Sequence, residues 1–293
     1  MRRLIASVLL VLTTTAMPAL ARVWYVGGSN PDFDEIRPAI DAAQDGDVIL
    51  VRPGVYAEFS LAKGVMIRAS AGTFSVGSDF PTVQIDSIAA SSRGGISGMS
   101  IDTPYAFDCA LLDVSNCSGE VVLEGITLNT SEAWYHLLRI TDCDNVSVTG
   151  LHCSCSSWTG LYPCGAVQIE RSLVRISDAF VRGGQGGYDW CGNGMEGQHG
   201  LNVVDAHLVL SGADVTGGKG GDGQLVWHWL GDGGKGGDAV HAATSQIHIL
   251  GFDQAESITS TETWDRPSVC FRSADTVTSS PRWATWVPWV TWR

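Results

Sequence analysis

Three glycine-rich inserts in the C-terminal half hold the residues whose spacing comes nearest to a metal-binding pattern. The inserts read GGQGG at 183–187, GGKGGD at 217–222 and GGKGGDAV at 233–240. The third fits the nonapeptide G-G-x-G-x-D-x-U, whose aspartate supplies oxygen ligands to Ca²⁺. Calcium is therefore the candidate cofactor, with Asp222 and Asp238 as candidate ligands. The inserts are isolated, so the alternative is that glycine only lets these loops adopt positive φ and stack closely.

One histidine near these inserts, His199, could act as a general base, because its side chain exchanges a proton near neutral pH. A single loop histidine equally serves a structural role. Hydrolysis of a glycosidic bond needs two carboxylates that face each other across the bond, and the sequence identifies no such pair. The catalytic residues therefore stay unknown, and the sequence does not decide whether the chain is an enzyme.

An internal repeat must position these residues. Segments 167–178, 201–212 and 240–251 align without gaps, and segments 112–125 and 138–150 fit with one or two extra residues. The repeats close between 25 and 39 residues apart, and each holds two short runs of alternating apolar and polar residues. Period two indicates strands with one buried face. The pattern predicts an all-β solenoid, a right-handed parallel β-helix with glycine-rich loops.

Stacking of these repeats predicts a column of polar side chains on one sheet. Residues at one aligned strand position are Asp113, Arg139, Gln168, Asn202 and His241. Successive strands lie about 4.8 Å apart, so the column would offer evenly spaced polar groups to a hydroxyl-rich ligand such as a glycan. The alternative is that this outward position is polar only because it faces water.

The eight cysteines form an even set behind an apolar N-terminal segment, which favours disulfides. The absence of a C-x-x-C pair disfavours a zinc site. Cys117 and Cys143 each follow a member of the polar column by four residues, so they should stack on adjacent coils. We predict a disulfide between them. A second expected pairing joins Cys153 or Cys155 to Cys164.

The segment 34–67 carries a family resemblance. It reads DEIRPAIDAA at 34–43, GDVILVRPGVYAE at 46–58 and KGVMI at 63–67. This resembles the opening of pectin-lyase-like right-handed β-helix proteins, in which a short helix caps the solenoid. Ile36, Ile40 and Ala43 fall on one helical face that could cover the end of the core, and Asp34 is the expected N-cap.

The resemblance implies a function in polysaccharide recognition, because sugar chains bind along a sheet face in that family. Its lyases use acidic calcium ligands and a basic proton acceptor. Asp113 and Arg139 could be such a pair, or they could simply form an ion pair with each other. Its hydrolases use paired aspartates, which this sequence lacks. We expect binding of extracellular polysaccharide, and the sequence leaves open whether a lyase or hydrolase activity also cleaves it. The alternative is a non-catalytic cell-surface or adhesion solenoid, with or without calcium.

The ends and the charge set the remaining expectations. Residues 1–21 resemble a signal peptide, with Arg2 and Arg3 before an apolar run and an A-x-A site, so we expect a secreted or cell-surface protein. Without those two arginines, 16 basic residues face 31 acidic ones, a net charge of −15 that disfavours nucleic acid. No membrane insertion is expected after signal cleavage. The domain assignment is a β-helix over 22–252 and an irregular tryptophan-rich tail over 253–293.

Overall fold

A computed structural model describes most of the chain between residues 21 and 272, and its regular secondary structure is strand apart from one helix. The described residues are 21–77, 82–106, 110–133, 136–155, 165–187, 194–222, 225–226, 229–230, 233–250, 258–260 and 269–272. Helix α1 spans Ile36–Ala42. The strands, in chain order, are β1 (Val23–Val26), β2 (Val48–Val51), β3 (Val55–Tyr56), β4 (Ser60–Leu61), β5 (Met66–Ala69), β6 (Phe74–Val76), β7 (Val83–Asp86), β8 (Arg93–Ser97), β9 (Met99–Ala106), β10 (Leu112–Ser115), β11 (Glu120–Glu124), β12 (Thr127–Ala133), β13 (Leu138–Thr141), β14 (Asn145–Thr149), β15 (His152–Cys155), β16 (Val167–Glu170), β17 (Leu173–Ser177), β18 (Phe180–Arg182), β19 (Leu201–Val204), β20 (His207–Ser211), β21 (Asp214–Thr216), β22 (Leu225–Val226), β23 (Trp229–Leu230), β24 (Val240–Ala243), β25 (Gln246–Leu250), β26 (Ile258–Ser260) and β27 (Val269–Arg272).

All strands except β22 and β23, which form a separate antiparallel pair, belong to three parallel sheets, and each complete coil gives one strand to each of the three. The ten-stranded sheet has the order β1-β2-β5-β8-β11-β14-β17-β20-β25-β27, the eight-stranded sheet β26-β24-β19-β16-β13-β10-β7-β4, and the seven-stranded sheet β21-β18-β15-β12-β9-β6-β3. One coil therefore runs from the eight-stranded through the ten-stranded to the seven-stranded sheet, as β13, β14 and β15 do. This architecture is the predicted right-handed parallel β-helix.

Buried aliphatic side chains stack from coil to coil in the core. Val167, Leu201 and Val240 are in register on β16, β19 and β24, and their exposed fractions are 0, 0 and 1%. The alignment of the three late repeats is thus confirmed. Each buried side chain contacts its equivalents above and below, so the core is one continuous column whose apolar burial stabilises every coil.

Two columns of left-handed residues turn the chain between sheets. The corner between the eight- and ten-stranded sheets is made by Ser87, Asn116, Asp142, Arg171, Asp205 and Thr244, with φ from 44° to 58°. The corner between the ten- and seven-stranded sheets is made by Gly72, Gly98, Gly125, Gly150, Asp178 and Gly212. Glycine adopts positive φ without the Cβ penalty, which explains its dominance at the second corner.

Helix α1 covers the N-terminal end of the core. Ile36, Ile40 and Ala43 are buried as predicted. The prediction that Asp34 is the N-cap is wrong. Glu35 occupies the N-cap position, and its side chain makes no capping hydrogen bond to the first turn. At the other end, Lys63 Nζ donates to the carbonyls of residues 40, 41 and 43 at 2.8, 3.0 and 2.9 Å, so its charge satisfies the exposed C-terminal carbonyls.

The solenoid continues beyond the predicted boundary at residue 252. Strands β26 and β27 pair in parallel with β24 and β25, so part of the segment expected to be irregular forms another partial coil. Unpaired edges of β24 and β25 would leave their backbone groups open, and these two strands cover them. The expected signal peptide, apart from residue 21, and the tryptophan-rich end lie outside the described residues. Among the described helices, none is long and apolar enough to cross a membrane.

The predicted disulfide between Cys117 and Cys143 is not formed. Both residues are buried free thiols, and a hydrogen bond joins them, so the predicted stacking is confirmed. Both cysteines lie in the turns just after the in-register strands β10 and β13. Each thiol donates to the carbonyl two residues before it, Cys117 to Ser115 at 3.1 Å and Cys143 to Thr141 at 3.2 Å, and is not bonded to the other sulfur. Cys153 is also a buried free thiol, and Cys155 is disulfide-bonded. The proposed partner Cys164 lies outside the described residues.

Candidate functional site

The predicted polar column exists on the outward face of the eight-stranded sheet. Asp113, Arg139, Gln168, Asn202 and His241 are in register on five consecutive coils. The register also extends the column to residues that the repeat alignment did not include, Ser60 and Gln84 before Asp113, and it pairs His241 with Thr259 on β26. Eight consecutive coils therefore have a polar residue type at one strand position.

The side chains of the polar column differ in chemistry from coil to coil. At one end, Arg139 Nε donates to Asp113 Oδ1 at 3.0 Å, and the arginine side chain is 46% exposed. In the middle, Gln168 donates to the carboxylate of Glu170, two residues further along the same strand. Asn202 Oδ1 is buried and has no hydrogen-bond partner among the described atoms. The column thus mixes an ion pair with amide donors and acceptors.

A histidine–aspartate cluster closes the C-terminal end of the column. Asp238 Oδ2 lies 3.5 Å from His199 Nδ1 and 3.6 Å from His241 Nδ1, and the two imidazole rings stack with their centroids 4.4 Å apart. His199 Nδ1 accepts the backbone N–H of Asp238 at 3.0 Å, which makes Nε2 the protonated nitrogen of the neutral ring. Within the described residues, these three side chains form the one group whose histidine, cysteine or acidic ligand atoms lie close enough together to bind a single metal ion.

Burial shifts the protonation of two histidines near this face. Desolvation lowers the pKa of His199, the charge of His241 lowers it further, and Asp238 opposes the shift. Desolvation lowers the pKa of His136 to about 4, although Glu170 opposes it. Both rings therefore favour the neutral form, in which an imidazole nitrogen can accept a hydrogen bond or bind a metal.

The glycine-rich inserts pack against one another beside this cluster. We call the four segments 183–187, 194–200, 216–222 and 233–238 the glycine bundle. Their backbone hydrogen bonds recur every third residue: Gly183 and Gly186 donate to the carbonyls of residues 216 and 219, and Gly234 and Gly237 donate to those of 221 and 218. A three-residue repeat without internal hydrogen bonds is the geometry of a polyproline II-type helix.

Close approach explains why these segments are glycine. A Cβ on Gly221 would lie 1.7 Å from the carbonyl oxygen of Gly187, and one on Gly218 would lie 1.9 Å from that of Gly184. None of the glycines in the bundle has positive φ, so the expectation that glycine serves loop conformation is wrong, whereas the expectation of close stacking is confirmed. The side chains at every third position project to solvent: Gln185, Glu196, Lys219, Asp222 and Lys235.

The two candidate calcium ligands do not share a site. Asp222 is 83% exposed on its side chain and pairs with Lys219 at 3.1 Å, whereas Asp238 belongs to the histidine cluster. Ca²⁺ takes six to eight oxygen ligands, and the described surroundings of either aspartate offer no such set. Calcium binding thus stays a prediction that this geometry does not favour. Backbone hydrogen bonds join the inserts to one another, whereas tandem calcium-binding turns would be joined by carboxylates that share Ca²⁺ ions.

Sequence reasoning missed His136, Glu170 and the partnership of His199 with His241. His136 and Asp238 lie outside the aligned repeat units, in the loops that precede the strands. The three-residue period of GGxGGx was the one signal for the glycine bundle, and it appears in all three inserts.

A concave surface lies at the corner between the eight- and ten-stranded sheets. It is a groove of about 480 Å³, and its lining includes Cys143, Arg171, Asp205, His207 and Gln246. His207 Nε2 is buried there without a described partner. Arg171 is already engaged, because it forms two hydrogen bonds with Asp142, at 2.6 and 2.9 Å. The groove therefore offers fewer open polar groups than the polar column does.

Comparisons with known proteins give only weak structural likenesses. No protein-family model matches the chain, and no curated protein matches its sequence. A rhamnogalacturonan lyase is 12% identical, with 78% of this chain and 69% of that chain covered and a TM-score of 0.28. A pectin methylesterase in complex with a hexasaccharide is 12% identical, with coverages of 81% and 68% and a TM-score of 0.29. At these TM-scores neither likeness carries an argument about function.

Proposed function

We propose that this chain binds extracellular polysaccharide along the polar column of the eight-stranded sheet. The single observation that carries the proposal is the register of polar residues on consecutive coils, from Gln84 to His241. The spacing of about 4.8 Å between coils turns this register into a regular row of hydrogen-bonding groups. A linear polymer of hydroxyl-bearing units suits such a row better than a compact ligand does.

The types of side chain support a ligand with both donors and acceptors. The amides of Gln168 and Asn202 offer one oxygen acceptor and two N–H donors each, as hydroxyl groups require. The carbonyl oxygen of Asn202 has no described partner, and leaving a buried acceptor unpaired costs about 1–3 kcal/mol. A ligand hydroxyl that donates to this oxygen would recover that cost on binding.

Binding is better supported than cleavage. The described acidic side chains along this face are already engaged: Asp86 with Asn116, Asp113 with Arg139, Glu170 with Gln168, and Asp238 with the two histidines. A glycosidase needs one carboxyl group free to donate a proton and a second on the opposite side of the sugar. We therefore assign the polar column to polysaccharide binding, and an assay for cleavage products tests whether a chemical step follows.

A glycan array with neutral and uronic-acid polysaccharides tests the proposal. The full chain should bind at least one linear polysaccharide, and the Gln168→Leu/Asn202→Leu double variant should lose at least tenfold in affinity. The matched control is Arg175→Ala/His248→Ala, which changes outward positions that are not in the polar column, on the ten-stranded sheet. Equal losses of affinity in both variants, or no binding of the native chain to any polysaccharide, would contradict the proposal. Reducing-sugar and unsaturated-uronide assays on the same ligands detect cleavage.

A second candidate function is a non-catalytic surface or adhesion solenoid. The glycine bundle favours it, because backbone hydrogen bonds between four segments stiffen an outgrowth whose exposed positions are charged or polar. In that case the outward residues of the bundle, such as Lys219 and Lys235, would contact the partner. An array without any hit, together with capture of the chain by whole cells that K219E/K235E abolishes, would support this function over the first.

A further inference from the structure

We propose that His199, Asp238 and His241 bind a divalent transition-metal ion of the zinc type and that the ion joins two adjacent coils. His199 precedes β19, whereas Asp238 and His241 belong to the next coil, at β24. The cluster is separate from the glycan proposal in its chemistry, although His241 belongs to the polar column and Asn202 of that column is its register neighbour.

The distances between ligand atoms fit a small metal ion. One nitrogen of each histidine and one oxygen of Asp238 all lie within 4.8 Å of one another, and the two distances from the carboxylate oxygen to Nδ1 are 3.5 and 3.6 Å. Tetrahedral zinc with bonds of about 2.0–2.1 Å places its ligands about 3.3 Å apart. Each of the two measured distances from the carboxylate oxygen to an imidazole nitrogen therefore needs to shorten by only a few tenths of an ångström.

The stacked rings must turn for the ion to enter. A metal bonds an imidazole nitrogen in the plane of the ring, and the two planes are only 13° from parallel. Rotation about the bond between Cβ and the ring would fan the nitrogens toward the carboxylate. The side chains of His199, Asp238 and His241 are 33, 26 and 23% exposed, so each is partly in contact with solvent. The rotation also releases the N–H of Asp238 from His199 Nδ1.

The donor set selects the class of metal. Two imidazole nitrogens and one carboxylate oxygen suit zinc, cobalt, nickel or copper, whereas Ca²⁺ and Mg²⁺ require oxygen ligands. Three protein ligands leave one tetrahedral position to water, and the partial exposure of the cluster allows water to reach it.

The surroundings hold the ligands from both sides. The carbonyl of Asp238 accepts the N–H of Gly200 at 3.0 Å, which ties the aspartate to the segment that carries His199. Asn202, whose side-chain oxygen is buried and unpaired, is the register neighbour of His241 on the preceding coil. A water on the metal would have a buried acceptor of the right type beside it, which is the support that bound water commonly receives.

Titration of the untagged full chain with metal tests the inference. After treatment with a chelator, the chain should bind one Zn²⁺, and Co²⁺ in its place should give the visible absorption of a four-coordinate site. His199→Gln and Asp238→Asn should each weaken Zn²⁺ binding at least tenfold. Zinc should raise the melting temperature of the native chain and not that of either variant, because the ion links two coils.

A second histidine pair on the opposite sheet serves as the matched control. His207 and His248 also have their rings in contact, with centroids 5.0 Å apart, but they belong to no described three-ligand group. The His207→Gln/His248→Gln variant should keep native zinc affinity. Absence of saturable binding, or equal losses in this control and in Asp238→Asn, would overturn the inference. Because His199 and Asp238 are not in the polar column, their variants should keep glycan binding, so the two proposals fail separately.

Discussion

His199 and His241 lie face to face, with ring centroids 4.4 Å apart, and Asp238 contacts the Nδ1 edge of both. The stack brings two titratable rings from adjacent coils to the end of the polar column. A proton on His241 opposes one on His199, which is one cause of the lowered pKa of His199. The charge state of this face therefore depends on pH, and so does the stability of the coils beneath it.

Acid should destabilise the chain through His136. Its folded-state pKa is about 4 because the ring is buried, whereas an unfolded histidine has a pKa of about 6.5. The unfolded state therefore binds the proton first, and stability is complete above pH 6.5 and falls as the pH drops toward 4, by about 3 kcal/mol. Denaturant unfolding at pH 7.5 and 4.5 should show this loss in the native chain, and a smaller loss in His136→Gln. His152→Gln, at an exposed position, should keep the native pH dependence.

The glycine bundle should reject a methyl group at one position and accept it at another. Gly221→Ala would place Cβ 1.7 Å from the carbonyl oxygen of Gly187, so the segments must separate, at a cost of about 3 kcal/mol. Gly236→Ala meets its nearest atom at 3.5 Å and should change stability by less than about 0.5 kcal/mol. Melting temperature and limited proteolysis of the inserts measure the difference. Indistinguishable variants would refute the close packing of the bundle.

Lys63 should stabilise the N-terminal cap of the solenoid. Its ammonium group donates to three carbonyls at the end of α1, and hydrogen bonds of charged groups contribute about 1.5–3 kcal/mol. We expect Lys63→Met to reduce the free energy of unfolding by about 2 kcal/mol, in chemical denaturation at neutral pH. Lys219→Met removes a lysine from an exposed ion pair and should change stability by less than about 1 kcal/mol. A Lys63 variant as stable as the Lys219 variant would show that the cap contributes nothing.

The thiols of Cys117, Cys143 and Cys153 should be free and protected. All three side chains are buried, so reagents do not reach them. Burial also raises the pKa of Cys153, whereas the hydrogen bond with Cys143 lowers the pKa of Cys117, which therefore depends on burial alone for its protection. Alkylation before and after unfolding, followed by peptide mapping, should label these residues only in the unfolded chain. Cys155 should be labelled only after reduction. Recovery of a peptide that links Cys117 to Cys143 would contradict the free-thiol geometry.

The stacking register was predictable because it depends on local alternation of residues. Val167, Leu201 and Val240 each begin a short apolar run followed by a turn residue, and a shift by one position would expose every buried side chain. The polar column follows from the same register. Alternation does not report Cβ separations, which is why the stacking of Cys117 and Cys143 was correctly predicted while the disulfide was not.

The histidine cluster and the glycine bundle were not predictable in the same way. Asp238 meets His199 because each lies two residues before an in-register strand residue, Val240 and Leu201, on adjacent coils, and the repeat alignment begins only at those strand residues. The bundle depends on hydrogen bonds between inserts that are distant in sequence. Strands β26 and β27 were missed because each is short and no alternating run extends around it.

The most direct test of the polar column as a polysaccharide site is a calorimetric titration with the best polysaccharide from the array. The account predicts that Gln168→Leu/Asn202→Leu weakens binding at least tenfold while Arg175→Ala/His248→Ala binds as the native chain does, with both variants folded at the native melting temperature to within a few degrees. Native affinity in the column variant would contradict it.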